Sequence, residues 1–321
     1  MEKLILIKPV GRLGNLMFQY LVARCLMAEA PAAVIRGQNI PDFGIRPADH
    51  DISPASFSGE QIVVSGHVFD FRRAVQMLRK STPAMIRIEW PCCRMEYFSR
   101  HRGLAQRIFP IDPALPKGFG DDKLVIHIRG GDMFTARHPN YFPLPIAWYR
   151  ELVTRFGLQP VFVGQVDQNS YGDALRREFP YAQFIYSPDR IADFNLLRTS
   201  RNIVLSISTF SWLAGWLSET ASTIVLPIAG IFDSRDRPDI DLLPVSDRRY
   251  VFQLFARETW KSQPEQMATI GCSSSLRQIG WPRLYRLRAA LAVSRADRSR
   301  FALSLRRDLD TVFGSCYPPT N

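Results

Sequence analysis

Cysteine is scarce in this chain of 321 residues: Cys25, Cys92, Cys93, Cys272 and Cys316 form an odd, scattered set. Two are adjacent and no pair has the separation of about two to four residues that marks a zinc knuckle, so reduced structural thiols are expected and no metal site. Long apolar runs are also missing. None approaches the roughly 18 residues that cross a bilayer. The apolar segment within residues 1–8 is too short for a signal peptide and reads as a first strand, which implies a cytoplasmic location. Internal repeats and low-complexity tracts are absent. There is no G-x-G-x-x-G or Walker loop, which sets aside the nucleotide fingerprints. No Ser-His-Asp or paired-carboxylate arrangement can be read from spacing, which disfavours glycoside hydrolysis, a reaction that needs two facing carboxylates. Neither an aromatic platform nor a recognition-helix pattern points to nucleic acid.

What is present describes a soluble protein with a sizeable core: 46% apolar and 22% charged residues. The length suggests two domains of about 150 residues. The expected division is an N-terminal α/β domain over residues 1–115, a second α/β domain over 116–260 and a basic helical extension over 261–321. The proline-rich stretch 109–118 cannot be helix interior and reads as the interdomain linker. The net charge of +11 calls for an acidic partner. Much of the excess lies in the C-terminal segment, where Arg277, Arg283, Arg286, Arg288, Arg295, Arg298, Arg300, Arg306 and Arg307 interleave with Trp281, Leu284, Leu287, Leu291, Phe301 and Leu305. Two readings of this stretch stand: an amphipathic segment lying on an anionic membrane surface, peripheral at its inner face, or a solvated helical face.

Short β-rich runs (4–7, 61–65, 124–128, 160–163, 183–186, 202–207 and 223–226) alternate with helical patterns (146–156, 171–178, 191–201 and 210–219). That alternation predicts βαβ units and parallel sheets with helices on both faces. Three polar clusters fall at strand ends, where parallel α/β sheets bind ligands. Gly11-Arg12-Leu13-Gly14-Asn15 leads from the first strand into a helix. His127-Ile128-Arg129-Gly130-Gly131-Asp132 follows an apolar strand, and its arginine offers a planar fork for phosphate oxygens. Ser206-Ile207-Ser208-Thr209-Phe210-Ser211 leads into another helix, whose N-terminal N–H groups and hydroxyls can cradle a phosphate. Each cluster alone could be a turn or an N-cap. Together they point to a phosphorylated ligand.

In this order the clusters resemble the α-1,2-fucosyltransferases of glycosyltransferase family 11 and, more distantly, the α-1,6- and protein O-fucosyltransferases. The family's opening Gly-Gly-x-Gly-Asn-Gln-Met-Phe-Gln-Tyr corresponds to Gly11–Tyr20, its His-x-Arg-Arg-Gly-Asp to His127–Asp132, and its Ser-x-Phe-Ser-Trp-Trp-x-Ala-Trp-Leu to Ser208–Leu217. An aspartate upstream of the third motif is matched by Asp193. The resemblance spans about residues 3–232. It implies a GT-B-like fold, two Rossmann-like domains facing across a cleft, and an inverting transfer of fucose from GDP-fucose to a glycan hydroxyl; the basic C-terminal segment, for its part, suggests a lipid-linked or anionic glycan near a membrane. The resemblance assigns Arg129 to the donor diphosphate, His127 and Asp193 to the guanine or ribose, Ser208, Thr209, Phe210 and Ser211 to the phosphates, and Gly14 and Asn15 to closing over the donor. No metal or other cofactor is expected, because Arg129 and the helix N–H groups can neutralise the departing diphosphate. Asp132 is the nearest motif carboxylate for the base, with His138 and Asp167 as other candidates. Acceptor loops are expected within 35–110. Three departures stand out: Gly130 for the second arginine, Leu16 for the glutamine and Leu213 for the second tryptophan. Gly130 leaves open a transferase for another GDP-sugar. The basic segment leaves open a non-catalytic sugar-nucleotide or anionic-surface binding protein.

Overall fold

The computed structural model describes residues 2–46, 57–135, 138–166, 169–186 and 189–256, together with 277, 278 and 284; the side chains of Asp132 and Thr135 fall outside that set. Two parallel sheets organise the chain. The first contains β1 (Lys3–Ile7), β2 (Val34–Arg36), β3 (Glu60–Val64) and β4 (Ala84–Ile88) in the order β2-β1-β4-β3. Ile5 pairs with Ile35 on one side and Ile86 on the other. Helix α1 (Leu13–Glu29) links β1 to β2, and α2 (Phe71–Arg79) links β3 to β4. Two short helices, α3 (Met95–Phe98) and α4 (Arg102–Ile108), then lead into a loop over residues 109–122.

The second sheet contains β5 (Lys123–Ile128), β6 (Gln159–Gly164), β7 (Gln183–Ile185), β8 (Asn202–Val204), β9 (Thr223–Ile228), β10 (Tyr250–Leu254) and β11 (Arg277–Gln278), in the order β11-β10-β9-β8-β5-β6-β7. Helices α5 (Ile146–Phe156), α6 (Ser170–Glu178), α7 (Arg190–Thr199) and α8 (Thr209–Leu217) alternate with its strands. All its pairings are parallel except β10 with β11. Arg277 and Gln278, within the segment expected to be helical, are therefore strand, because they complete the hydrogen bonding of an otherwise open β10 edge. The rest of the basic segment, apart from buried Leu284, lies outside the described residues.

The expected α/β architecture is thus present, and its two units share an apolar seam. α1 is buried on most sides, and every residue of α8 but Phe210 is buried. Helices of this kind are apolar all round because they pack between layers. Phe18 and Phe98 meet Trp212 at 5.5 and 6.0 Å between ring centroids, and Trp212 stacks on Trp216 at 5.6 Å. The backbone crosses the seam as well. Arg94, almost fully buried, donates to the carbonyl of Asp239 at 2.8 Å, and Met95 N–H donates to that of Asp241 at 2.8 Å. Among the described residues no helix is long and apolar enough to cross a membrane.

Candidate active site

From β5 the chain steps to β6 and β7, then crosses back to place β8 on the other flank of β5. The carboxyl ends of β5 and β8 are therefore a topological switch point, the crevice where open α/β sheets bind ligands. Two of the three motif clusters sit at this crevice. His127, next to last in β5, is buried; its Nδ1 and the Ser206 hydroxyl share a hydrogen bond of 2.7 Å. Burial, reinforced by the charge of Arg129, pushes the imidazole pKa down to about 3, so the ring is neutral at physiological pH. Arg129 follows, half-buried. Its Nη1 donates to the Ile207 carbonyl at 3.3 Å, and its guanidinium lies 4.0 Å from the centroid of the Tyr141 ring. A cation held over an aromatic face with one fork engaged is orientated in advance.

Ser208 caps α8: its backbone is extended and its hydroxyl accepts from Phe210 N–H at 3.2 Å. The Ser211 hydroxyl donates to the carbonyls of Ser206 and Ser208, both at 3.3 Å, and is fully buried. In this structure both serine hydroxyls are engaged with the backbone of their own loop. They hold the loop in shape, and what α8 can offer an anion is the backbone N–H groups of its first turn, reinforced by the helix dipole. The expected strand over 202–207 ends early for the same reason, since Ser208 N–H turns back to the Ser206 carbonyl at 2.8 Å.

The third cluster reaches this place from the first sheet. A Cβ on Gly14 would stand 2.6 Å from Thr209 Oγ1 and 2.7 Å from Phe210 N, so only glycine permits the approach. Beside it Thr209 donates its hydroxyl proton to Asn15 Oδ1 at 3.2 Å. The amino ends of α1 and α8 therefore meet. Each carries partial positive charge, and anions are favoured where two such ends converge beside a guanidinium. Gln19, fully buried, secures the approach from behind: its Oε1 accepts from Val10 N–H at 3.0 Å and its Nε2 donates to the Lys8 carbonyl at 2.9 Å.

Gly14, Asn15, His127, Arg129 and Ser208 to Ser211 thus form one connected group. Asp193 stands one step away on α7, whose Phe194 ring lies 5.3 Å from that of Phe210. Its Oδ1 is buried without a hydrogen-bond partner, and burial, with Asp189 nearby, raises its pKa to about 7. Asp132 lies in the 3-10 turn Gly131–Thr135, and nothing of its side chain is described. His138 is exposed with its ring 5.7 Å from Tyr141. Asp167 lies outside the described residues. Among those residues no group of three or more His, Cys, Asp or Glu side chains could hold a metal ion. Cavities of about 430 and 340 Å³ open at the far end of α8, around Arg102, Ser218 and Asp247. There Arg102 and Arg249 are already paired with Asp247 and the Ser218 carbonyl.

Sequence reasoning did not single out Tyr141 or Gln165, which come from a loop and from the turn that follows β6. Gln19 belonged to the first motif without an assigned role. No family model matches the chain, and no curated protein matches it in sequence. Among solved structures it is similar to a mutant of Arabidopsis thaliana FUT1 in complex with GDP, at 11% identity and a TM-score of 0.43, the match covering 83% of this chain and 73% of that one.

Proposed function

We propose that this protein is an inverting glycosyltransferase that moves fucose from GDP-fucose to a glycan hydroxyl in α-1,2 linkage. The observation that carries the reading is the meeting of the α1 and α8 amino ends beside Arg129, built from three motifs that follow one another as in the fucosyltransferases they resemble. During transfer from a nucleotide sugar, negative charge grows on the departing diphosphate while the sugar becomes cationic. Arg129 and the first-turn N–H groups of α8 receive that charge, in an orientation fixed beforehand by Tyr141 and the Ser208 cap. A neutral His127 shapes the crevice without competing for the anion. Asp193 takes the guanine or ribose, and Asp132 accepts the proton of the acceptor hydroxyl. The reaction proceeds without a metal. The basic C-terminal segment holds the enzyme against an anionic inner membrane face, near lipid-linked acceptors.

The test is release of GDP from a panel of GDP-sugars across a small library of glycan acceptors, with and without EDTA. Turnover of GDP-fucose, unchanged by the chelator, is the expected result. Turnover of a different GDP-sugar with none of GDP-fucose would transfer the reading to that donor. Absence of any GDP-sugar binding, alongside salt-sensitive binding to anionic vesicles, would overturn it in favour of a non-catalytic surface-binding protein.

A further inference from the structure

Gly130 occupies the place where the resembled motif carries a second arginine. A Cβ there would lie 2.8 Å from the Gln165 carbonyl oxygen and 3.3 Å from the Gln165 Cβ. Backbone at the end of β6 therefore fills the space from which an arginine would have to emerge. The Gln165 side chain bends over the same spot. Its Oε1 accepts from Gly130 N–H at 3.0 Å, and its carboxamide lies under 4 Å from the position a Cβ would take on Gly131, whose φ of +63° turns the chain away beneath it. With Oε1 engaged on the backbone, the two N–H bonds of Nε2 are fixed in direction, and no described residue accepts from them. Gln165 is exposed and follows β6, on the flank of β5 opposite Ile207.

We propose that Gln165 supplies, as a neutral hydrogen-bond donor, the contact to the donor's diphosphate–sugar linkage that an arginine would otherwise make. This rests on the proposed use of a nucleoside-diphosphate sugar. A carboxamide held by its oxygen gives two donors with no added charge. Arg129 is then the guanidinium of the motif that meets the phosphates, and the second contact sorts ligands by hydrogen-bond geometry more than by charge.

The decisive variant is Gln165→Glu. A glutamate can keep the acceptor for Gly130 N–H, so the loop stays closed, while an anionic oxygen replaces the free NH₂. Unliganded melting temperature should stay at the wild-type value. GDP affinity by calorimetry should fall about a hundredfold for Gln165→Glu and about tenfold for Gln165→Ala. GMP, which lacks the second phosphate, should lose less with either variant. Wild-type GDP binding with an unchanged dissociation constant in Gln165→Glu overturns this inference and leaves the transferase reading intact. Failure of the wild-type protein to bind GDP or any GDP-sugar overturns both. If Gln165→Glu lowers the melting temperature, Gln165→Met, similar in size but without donor or acceptor, decides the matter: a loss of affinity confined to GDP supports the inference, and an equal loss for GDP and GMP overturns it.

Discussion

The two sheets each have a switch point, and the two are used differently. In the first sheet, β1 lies between β2 and β4, and the polar groups at its end are engaged within the protein. Gln19 bonds to Lys8 and Val10, and the buried His67, just beyond β3, accepts at Nδ1 from the N–H of Cys93, just beyond β4, at 2.9 Å. Burial pushes the His67 pKa down to about 3, so this imidazole is a fixed neutral acceptor. At the end of β5 in the second sheet, the Arg129 guanidinium lies over Tyr141 and donates to the Ile207 carbonyl, with the first-turn N–H groups of α8 nearby. The first switch point thus ties its loops down through buried neutral groups, whereas the second sets a cation beside the converging amino ends of α1 and α8. Position at a strand end is not enough to assign function; the charge and setting of the groups placed there differ between the two sheets.

Substitutions can break that comparison, and the largest effect belongs to the second switch point. Arg129→Ala should reduce turnover by about 10²–10³ while leaving the melting temperature near wild type, as removal of a preorganised donor does elsewhere; near-normal turnover would remove the diphosphate role. Gln19→Leu should do the reverse. It leaves the Lys8 carbonyl and Val10 N–H unpaired and should cost about 2 kcal/mol in denaturant unfolding, with activity per folded molecule preserved. Gly14→Ala tests the contact between the halves. With Phe210 N only 2.7 Å from the new methyl group, we expect a loss of about 1–2 kcal/mol and weaker GDP binding together, whereas a change in only one would uncouple seam and site.

Asp193 sharpens the comparison through pH. Its folded-state pKa is raised from 3.8 to about 7, so the folded protein keeps a proton that the unfolded chain releases near pH 4. Its contribution is therefore most favourable below about pH 4 and is lost as pH rises to 7. Asp193→Asn should be more stable than wild type at pH 8, with the difference shrinking toward pH 5. If the carboxylate takes the nucleoside, wild-type GDP affinity should rise with pH through about 7, and the asparagine variant should not follow. The smallest effect is expected for Arg190→Ala. This exposed side chain pairs with Asp42 across the seam at 2.7 Å, and a surface pair of that kind contributes less than about 1 kcal/mol in unfolding and fades with salt.

Much of the fold could be read because its punctuation is local. The helix expected over 146–156 is Ile146–Phe156, set off by Pro145 before it and by Gly157 at φ +65° after it. β2, β4, β10 and β11 escaped notice. Ala84–Ile88 is a five-residue apolar run interrupted by Arg87, too short for periodicity to separate strand from buried turn, though it lies between β1 and β3. The site divides in the same way. Gly14, His127, Arg129 and the Ser208 cap lie within contiguous segments, so their order along the chain carried information. Tyr141 and Gln165 reach Arg129 and Gly130 only through the crossing of strands and loops, and no spacing announces them. The serine hydroxyls could not be resolved in advance, because an N-cap and a phosphate cradle share one sequence pattern.

The contact of Gly14 with Thr209 and Phe210 has a thermodynamic corollary. Two helix ends of like partial charge are pressed together by the aromatic seam behind them, so the seam works against electrostatic repulsion at its own rim. An anion taken into that rim relieves the repulsion, and whatever it contributes to holding the two units together is returned, in equal measure, as affinity for the anion. Seam packing and ligand affinity are in that sense one reciprocal quantity: a substitution among Phe18, Phe98 and Trp212, remote from any phosphate, should register as a change in nucleotide binding.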